Sequence, residues 1–126
     1  MITPMRATLI LLLPLLPVPG TAHEWYTEEE NAIGYGCCGG DDCAAGEWPV
    51  RQGADGIWEV DILPGTHPQV PASLGTKPIT FRLISGDGRD MGPPSLSPDY
   101  STHVCIMSGT QLQEHRAQCI FISGTM

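Results

Sequence analysis

Gly34-Tyr35-Gly36-Cys37-Cys38-Gly39-Gly40-Asp41-Asp42-Cys43-Ala44-Ala45-Gly46 is the stretch on which the fold of this 126-residue chain turns. Its glycines and aspartates are turn formers, so no regular element is expected between Gly34 and Gly46. Cys37, Cys38 and Cys43 therefore sit on a tight loop that needs covalent help to hold still. Cys105 and Cys119 complete a set of five cysteines. In a small exported chain such a set reads first as a disulfide framework, because oxidising compartments preserve the bonds and small cores need them. The odd count leaves one thiol for burial, for a metal or for another chain.

Export is read from the opening residues. Met1 to Arg6 is short and basic, Ala7 to Val18 is apolar, and Gly20-Thr21-Ala22 supplies the small residues that a signal peptidase recognises. Residues 1–22 are thus expected to be a signal peptide and 23–126 a single domain, periplasmic or secreted. Pro14, Pro17 and Pro19 interrupt an apolar run already shorter than the about 20 residues a membrane helix needs, so no membrane span is expected after processing. No cysteine lies near the cleavage point, which argues against a lipoprotein. The whole chain has a net charge of −8, and without Arg6 residues 23–126 carry −9. Such a surface repels nucleic acid and anionic lipid and tolerates cations.

Working outward from the cysteine loop, Thr27 and Glu30 form a capping-box pattern that Gly34 can stop, which predicts a short N-terminal helix. Trp48 to Gln52 and Ile57 to Ile62 flank Gly53-Ala54-Asp55-Gly56, the signature of a hairpin. Trp58, Val60 and Ile62 alternate with Glu59 and Asp61, so one face is buried. Leu63 to Lys77, rich in proline and glycine, predicts a long irregular excursion across the sheet edge. A further strand is expected at Ile79 to Ile84, then a loop from Gly86 to Pro98. His103 to Met107 and Cys119 to Ile122 are apolar on both faces, as central strands are. The fold class is mainly β: a small antiparallel sheet or roll with a short N-terminal helix, stabilised by disulfides.

Cys105 and Cys119 lie symmetrically about Leu112, so a hairpin folded there could bridge them directly. The competing arrangement ties each strand cysteine to the loop at Cys37 to Cys43. The second is preferred because it closes longer loops and pins an otherwise unstructured segment, removing more entropy from the unfolded chain.

The chain resembles a family of small exported proteins common in alphaproteobacteria. The residues that carry the resemblance are His23-Glu24-Trp25-Tyr26, Cys37-Cys38 with Asp42-Cys43, Ser97-Pro98-Asp99 leading into His103-Val104-Cys105-Ile106, and Cys119-Ile120-Phe121. The resemblance implies export and cysteine bridging and no activity. Gly39 and Tyr100-Ser101 stand where the family has a serine and a basic residue.

Three groupings could carry chemistry. Cleavage after Ala22 would let His23 offer its amine and imidazole to one metal, and a second histidine, His103 or His67, would complete a nitrogen set that selects copper(II). Cleavage after Gly20 would instead place His23 third, as in amino-terminal copper and nickel sites. On a strand, His103, Cys105 and Met107 share a face and offer nitrogen, thiolate and thioether, although bridging of Cys105 and core packing of Met107 explain them more simply. Cys38 and Cys43, with Cys105, Cys119 or His103, have loose zinc spacing, but export favours bridging. Nucleophilic catalysis would need a free cysteine beside His103 or His115 with Asp99 or Glu114 to orient it, and nothing in the spacing singles this out. There is no Cys-x-x-Cys, serine elbow or phosphate loop. The expectation is a non-enzymatic exported protein that binds copper or another transition metal; the alternative is a structural or protein-interaction module of the envelope, with a protein partner and no metal.

Overall fold

The computed structural model describes residues 25, 29–37, 40–107 and 109–123. Its strands form two sheets. β1 (Cys43–Gly46), β5 (Ser95–Ser97), β6 (Thr102–Cys105) and β7 (Cys119–Ser123) form one sheet in the order β1-β6-β7-β5. β2 (Val50–Gln52), β3 (Trp58–Ile62) and β4 (Ile79–Arg82) form the other in the order β2-β3-β4. The hairpin at Gly53 to Gly56 is present, closed by Gly53 N–H donating to Ile57 O at 2.7 Å, with Gly56 at φ 86 where a side chain would be strained. The mainly β fold class holds.

Three local expectations change. The loop from Gly34 to Gly46 does contain a regular element, β1, whose Ala44, Ala45 and Gly46 have little strand preference of their own. Their extended form is imposed by pairing with β6 and by the bridge at Cys43. The loop from Gly86 to Pro98 ends in β5, which runs parallel to β7 in a sheet expected to be antiparallel. A single turn of helix, α1 (Thr110–Gln113), interrupts the connection from Gly109 to Arg116. Thr27 and Glu28, the start of the expected N-terminal helix, lie outside the described residues. From Glu29 onward the chain forms a turn: Glu30 bridges Gly36, and the Asn31 side-chain oxygen accepts from the N–H groups of Ile33 and Tyr35.

β6 and β7 are central, as their two-sided apolar pattern requires. Strand alternation sends Val104 and Ile120 to one face, where they pack with Val60, Ile62, Phe81, Leu83 and Met91 in the core between the sheets. The excursion from Leu63 to Lys77 adds Val70, fully buried, to this cluster. The opposite face carries His103, Cys105, Cys119 and Phe121, and a second cluster forms there from Cys37, Cys43, Cys105, Cys119 and Phe121 with Trp25 against it.

The bridges Cys37–Cys119 and Cys43–Cys105 build that second cluster. Cys105 stands opposite both Cys43 and Cys119 in register, so a direct Cys105–Cys119 bridge was geometrically open. The chain instead ties each strand cysteine to the N-terminal loop, as the entropy of loop closure favours. Cys38 lies outside the described residues. A buried polar chain reinforces the attachment: Asn31 Nδ2 donates to Gln118 O at 3.0 Å, Gln118 Nε2 to Gly36 O at 2.9 Å, and Gln111 Nε2 to Gln118 Oε1 at 2.7 Å.

Cys37–Cys119 spans 82 residues. Replacing both cysteines by serine is expected to lower the unfolding free energy by about 3–5 kcal/mol in non-reducing denaturant titrations. The intact mass of the native protein should lie four hydrogens below that of the reduced chain, two for each bridge.

Candidate functional site

The turn from Ser97 to Ser101 joins β5 to β6, and one buried histidine anchors it. His103 is 2% exposed on the disulfide face of β6, and its Nε2 lies 2.8 and 3.0 Å from the two carboxylate oxygens of Asp99. An ionised carboxylate only accepts, so Nε2 carries the proton and donates it. Asp99 also accepts from the Ser97 hydroxyl at 2.7 Å and from the Ser101 N–H at 3.0 Å. Burial pushes the Asp99 carboxyl upward, but the hydrogen bonds from Ser97, His103 and Ser101 outweigh it and hold the group down to about 2. Trp25 closes over this pair edge-on, its ring centroid 5.1 Å from that of His103 and 4.9 Å from that of Phe121.

The turn presents its apolar residues outward. Tyr100 has a positive φ of 65 and a side chain 68% exposed; Leu96, just before the turn, is 68% exposed. A concavity lies on either side. One, of about 300 Å³, is lined by Trp25, Glu29, Leu96, Ser97 and Pro98. The other, of about 480 Å³, lies between the end of β1 and the start of β6, lined by Ala45, Gly46, Glu47, Tyr100, Ser101 and Thr102. Gly46 is required beside it, since a Cβ there would fall 2.5 Å from the Trp48 ring.

The candidate metal ligands do not converge among the described residues. His67 is 3% exposed and belongs to the core side, where its ring lies 5.5 Å from that of Trp48. Its Nε2 donates to Val104 O at 2.8 Å and its Nδ1 accepts the Gln69 N–H at 3.0 Å, so both ring nitrogens serve the fold. His103 lies on the other face of β6. Cys105 is bridged and supplies no thiolate for a row with His103 and Met107, and bridging of Cys43, Cys105 and Cys119 removes the zinc grouping. No cluster of three or more histidine, cysteine, aspartate or glutamate side chains could hold a metal among the described residues. His23 lies outside them. The four described cysteines are all bridged, so none stands free beside His103 or His115.

Sequence reasoning raised Asp99 only as one of two acids that could orient His103 or His115 beside a free cysteine, and missed the exposed Leu96 and Tyr100. The one signal available was the Ser97-Pro98-Asp99 turn ahead of a strand. A serine hydroxyl and a proline ring commonly set a turn, but the reach of Asp99 to a strand residue four positions on depends on how that strand is placed.

Burial pushes the His67 imidazole below its ordinary value of 6.5, against weaker support from its bond to Val104 and from nearby Asp42. The neutral ring is therefore favoured in the folded state. Its contribution to stability is complete above pH 6.5 and is lost as pH falls from there toward the depressed value. Unfolding free energy measured between pH 7 and pH 5 is expected to fall with a slope of up to about 1.4 kcal/mol per pH unit from this group, and His67→Gln should flatten the profile by that amount.

No family model, no curated protein and no solved structure matches this chain.

Proposed function

We propose that the protein is an exported, non-enzymatic interaction module of the cell envelope whose recognition face is the turn from Ser97 to Ser101 with its two flanking concavities. The observation that carries this reading is the exposure, 68% each, of Tyr100 on a turn held in place by the Asp99–His103 bond and of Leu96 on the strand that leads into it. A scattered surface leucine needs no explanation. Two large apolar side chains, one on the pinned turn and one on the strand before it, supply contact area on a backbone the fold already holds in place. The two disulfides support an oxidising location, and among the described residues no helix is long and apolar enough to cross a membrane.

The test is site-specific photo-crosslinking in cells. A photoreactive residue at Leu96 or Tyr100 is expected to give discrete adducts with another protein, and the same residue at Leu74, exposed on the helical turn Ala72–Leu74 outside both concavities, is expected to give none. Adducts of equal yield at all three positions, or at none, would reject the face.

A second reading, copper binding, is favoured by the position of Trp25. Its contact with His103 ties the chain two residues after His23 to a histidine already oriented by a carboxylate, an arrangement common among metal-bound imidazoles. In this reading the His23 amine and imidazole hold copper(II), and His103 with Asp99 completes the site. Calorimetric titration should show tight binding to protein that begins at His23 and loss of it in a form extended by one residue; weak, equal binding in both forms would reject the metal.

A further inference from the structure

We propose that the outer edge of β1 and the concavity beside Tyr100 bind an extended segment of another polypeptide carrying lysine or arginine, which adds to the sheet as a strand next to β1. The proposal rests on the interaction reading above and names the chemistry of its partner.

β1 is an edge strand. The ladder bond from Ile106 N–H to Asp42 O sets the alternation of the β1–β6 pair, so Ala45, three residues on, turns its N–H and C=O away from β6. Among the described residues no backbone group pairs with them. Natural edges are usually guarded by lysine, proline or a bulge. Here the strand reads Cys43-Ala44-Ala45-Gly46, which puts no bulk or positive charge in the way of an incoming backbone.

The neighbouring concavity provides the rest of a binding site. Tyr100 forms one wall, held at a positive φ that costs a tyrosine energy, yet its ring is not buried against the protein. Such strain persists where the surroundings impose it, and here it places Tyr100 in the lining of the groove. Charge selects the occupant. Glu47 lies in the groove and makes no ion pair among the described residues, while Asp41 and Asp42 stand just before β1. The described arginines are engaged elsewhere: Arg51 with Glu59 and Asp61, Arg82 with Asp55 and Glu59, Arg116 with Glu114, and Arg89 with the Tyr35 hydroxyl, while Lys77 lies on the excursion before β4 and does not line the groove. Both ends of the free edge are therefore acidic on a chain of net charge −8. A lysine or arginine on the added strand meets Glu47 and the face of Tyr100 together, and the backbone ladder supplies affinity without demanding one sequence.

The experiment uses the processed, disulfide-bonded protein as bait for a displayed library of random linear peptides. Recovered peptides are synthesised and studied by amide exchange and by affinity against variants. The expected result is enrichment in lysine and arginine, slowed exchange of the Ala45 amide on binding, and affinity weakened roughly fivefold to tenfold by Glu47→Lys. Ala45→Pro removes the outward N–H without touching the β1–β6 ladder and should abolish binding. If that variant fails to fold, Glu47→Lys and the exchange measurement still decide. Recovery of no peptide, of peptides without basic residues, or of peptides that leave Ala45 exchange unchanged overturns the proposal. Peptides that bind but map to the Trp25 and Leu96 concavity overturn it while leaving the interaction reading standing; absence of crosslinks from Leu96 and Tyr100 removes that reading as well.

Discussion

The structure depends on covering the second face of β6 and β7. Both strands are apolar on both sides, and one side is used by the core against β3 and β4. The other would leave Phe121 and the strand cysteines in water unless a further layer closed it. Among the described residues no third sheet closes it; Trp25 and the loop bearing Cys37 pack there instead, bonded through Cys37–Cys119, while Cys43–Cys105 fixes the edge strand beside them. The bridges act as the second layer of a fold too small to build one from side chains alone.

The same geometry explains why two buried histidines near β6 have unrelated roles. His67 approaches from the core side and donates to Val104 O, tying the excursion after β3 to the central strand. His103 projects from the strand itself to the disulfide side, where it reaches Asp99 and shapes the turn after β5. Equal burial thus accompanies opposite local purposes: one ring completes the core, and the other transmits the rigidity of a central strand to an exposed loop.

Charge is divided as unevenly as packing. Arg51 and Arg82 lie on β2 and β4, paired across to the acids of β3 and of the hairpin turn. These exposed pairs contribute little to stability individually, but they hold Arg51 and Arg82 on the other sheet, and among the described residues no lysine or arginine lines the groove at the β1 end. An acidic rim beside an unguarded strand edge and a fixed aromatic is therefore a product of where the arginines were placed, as much as of where the acids were.

Local sequence determined much of the second sheet and the identity of the central strands. The alternation of Trp58, Val60 and Ile62, the turn chemistry of Gly53 to Gly56, and the unbroken apolar runs at His103 and Cys119 all depend on neighbours within a few residues. The preference for bridging the N-terminal loop to Cys105 and Cys119 was also legible, because loop entropy depends on chain separation. Other features were decided only in three dimensions. β1 and β5 are strands because partners hold them so: Ala44 to Gly46 and Ser95 to Ser97 have no pattern to announce it. The Asp99–His103 bond, the separation of His67 from His103 and the outward edge at Ala45 follow from register and from which face a residue takes. A slip of one residue would reverse each of them, and short-range propensities carry no information about that choice.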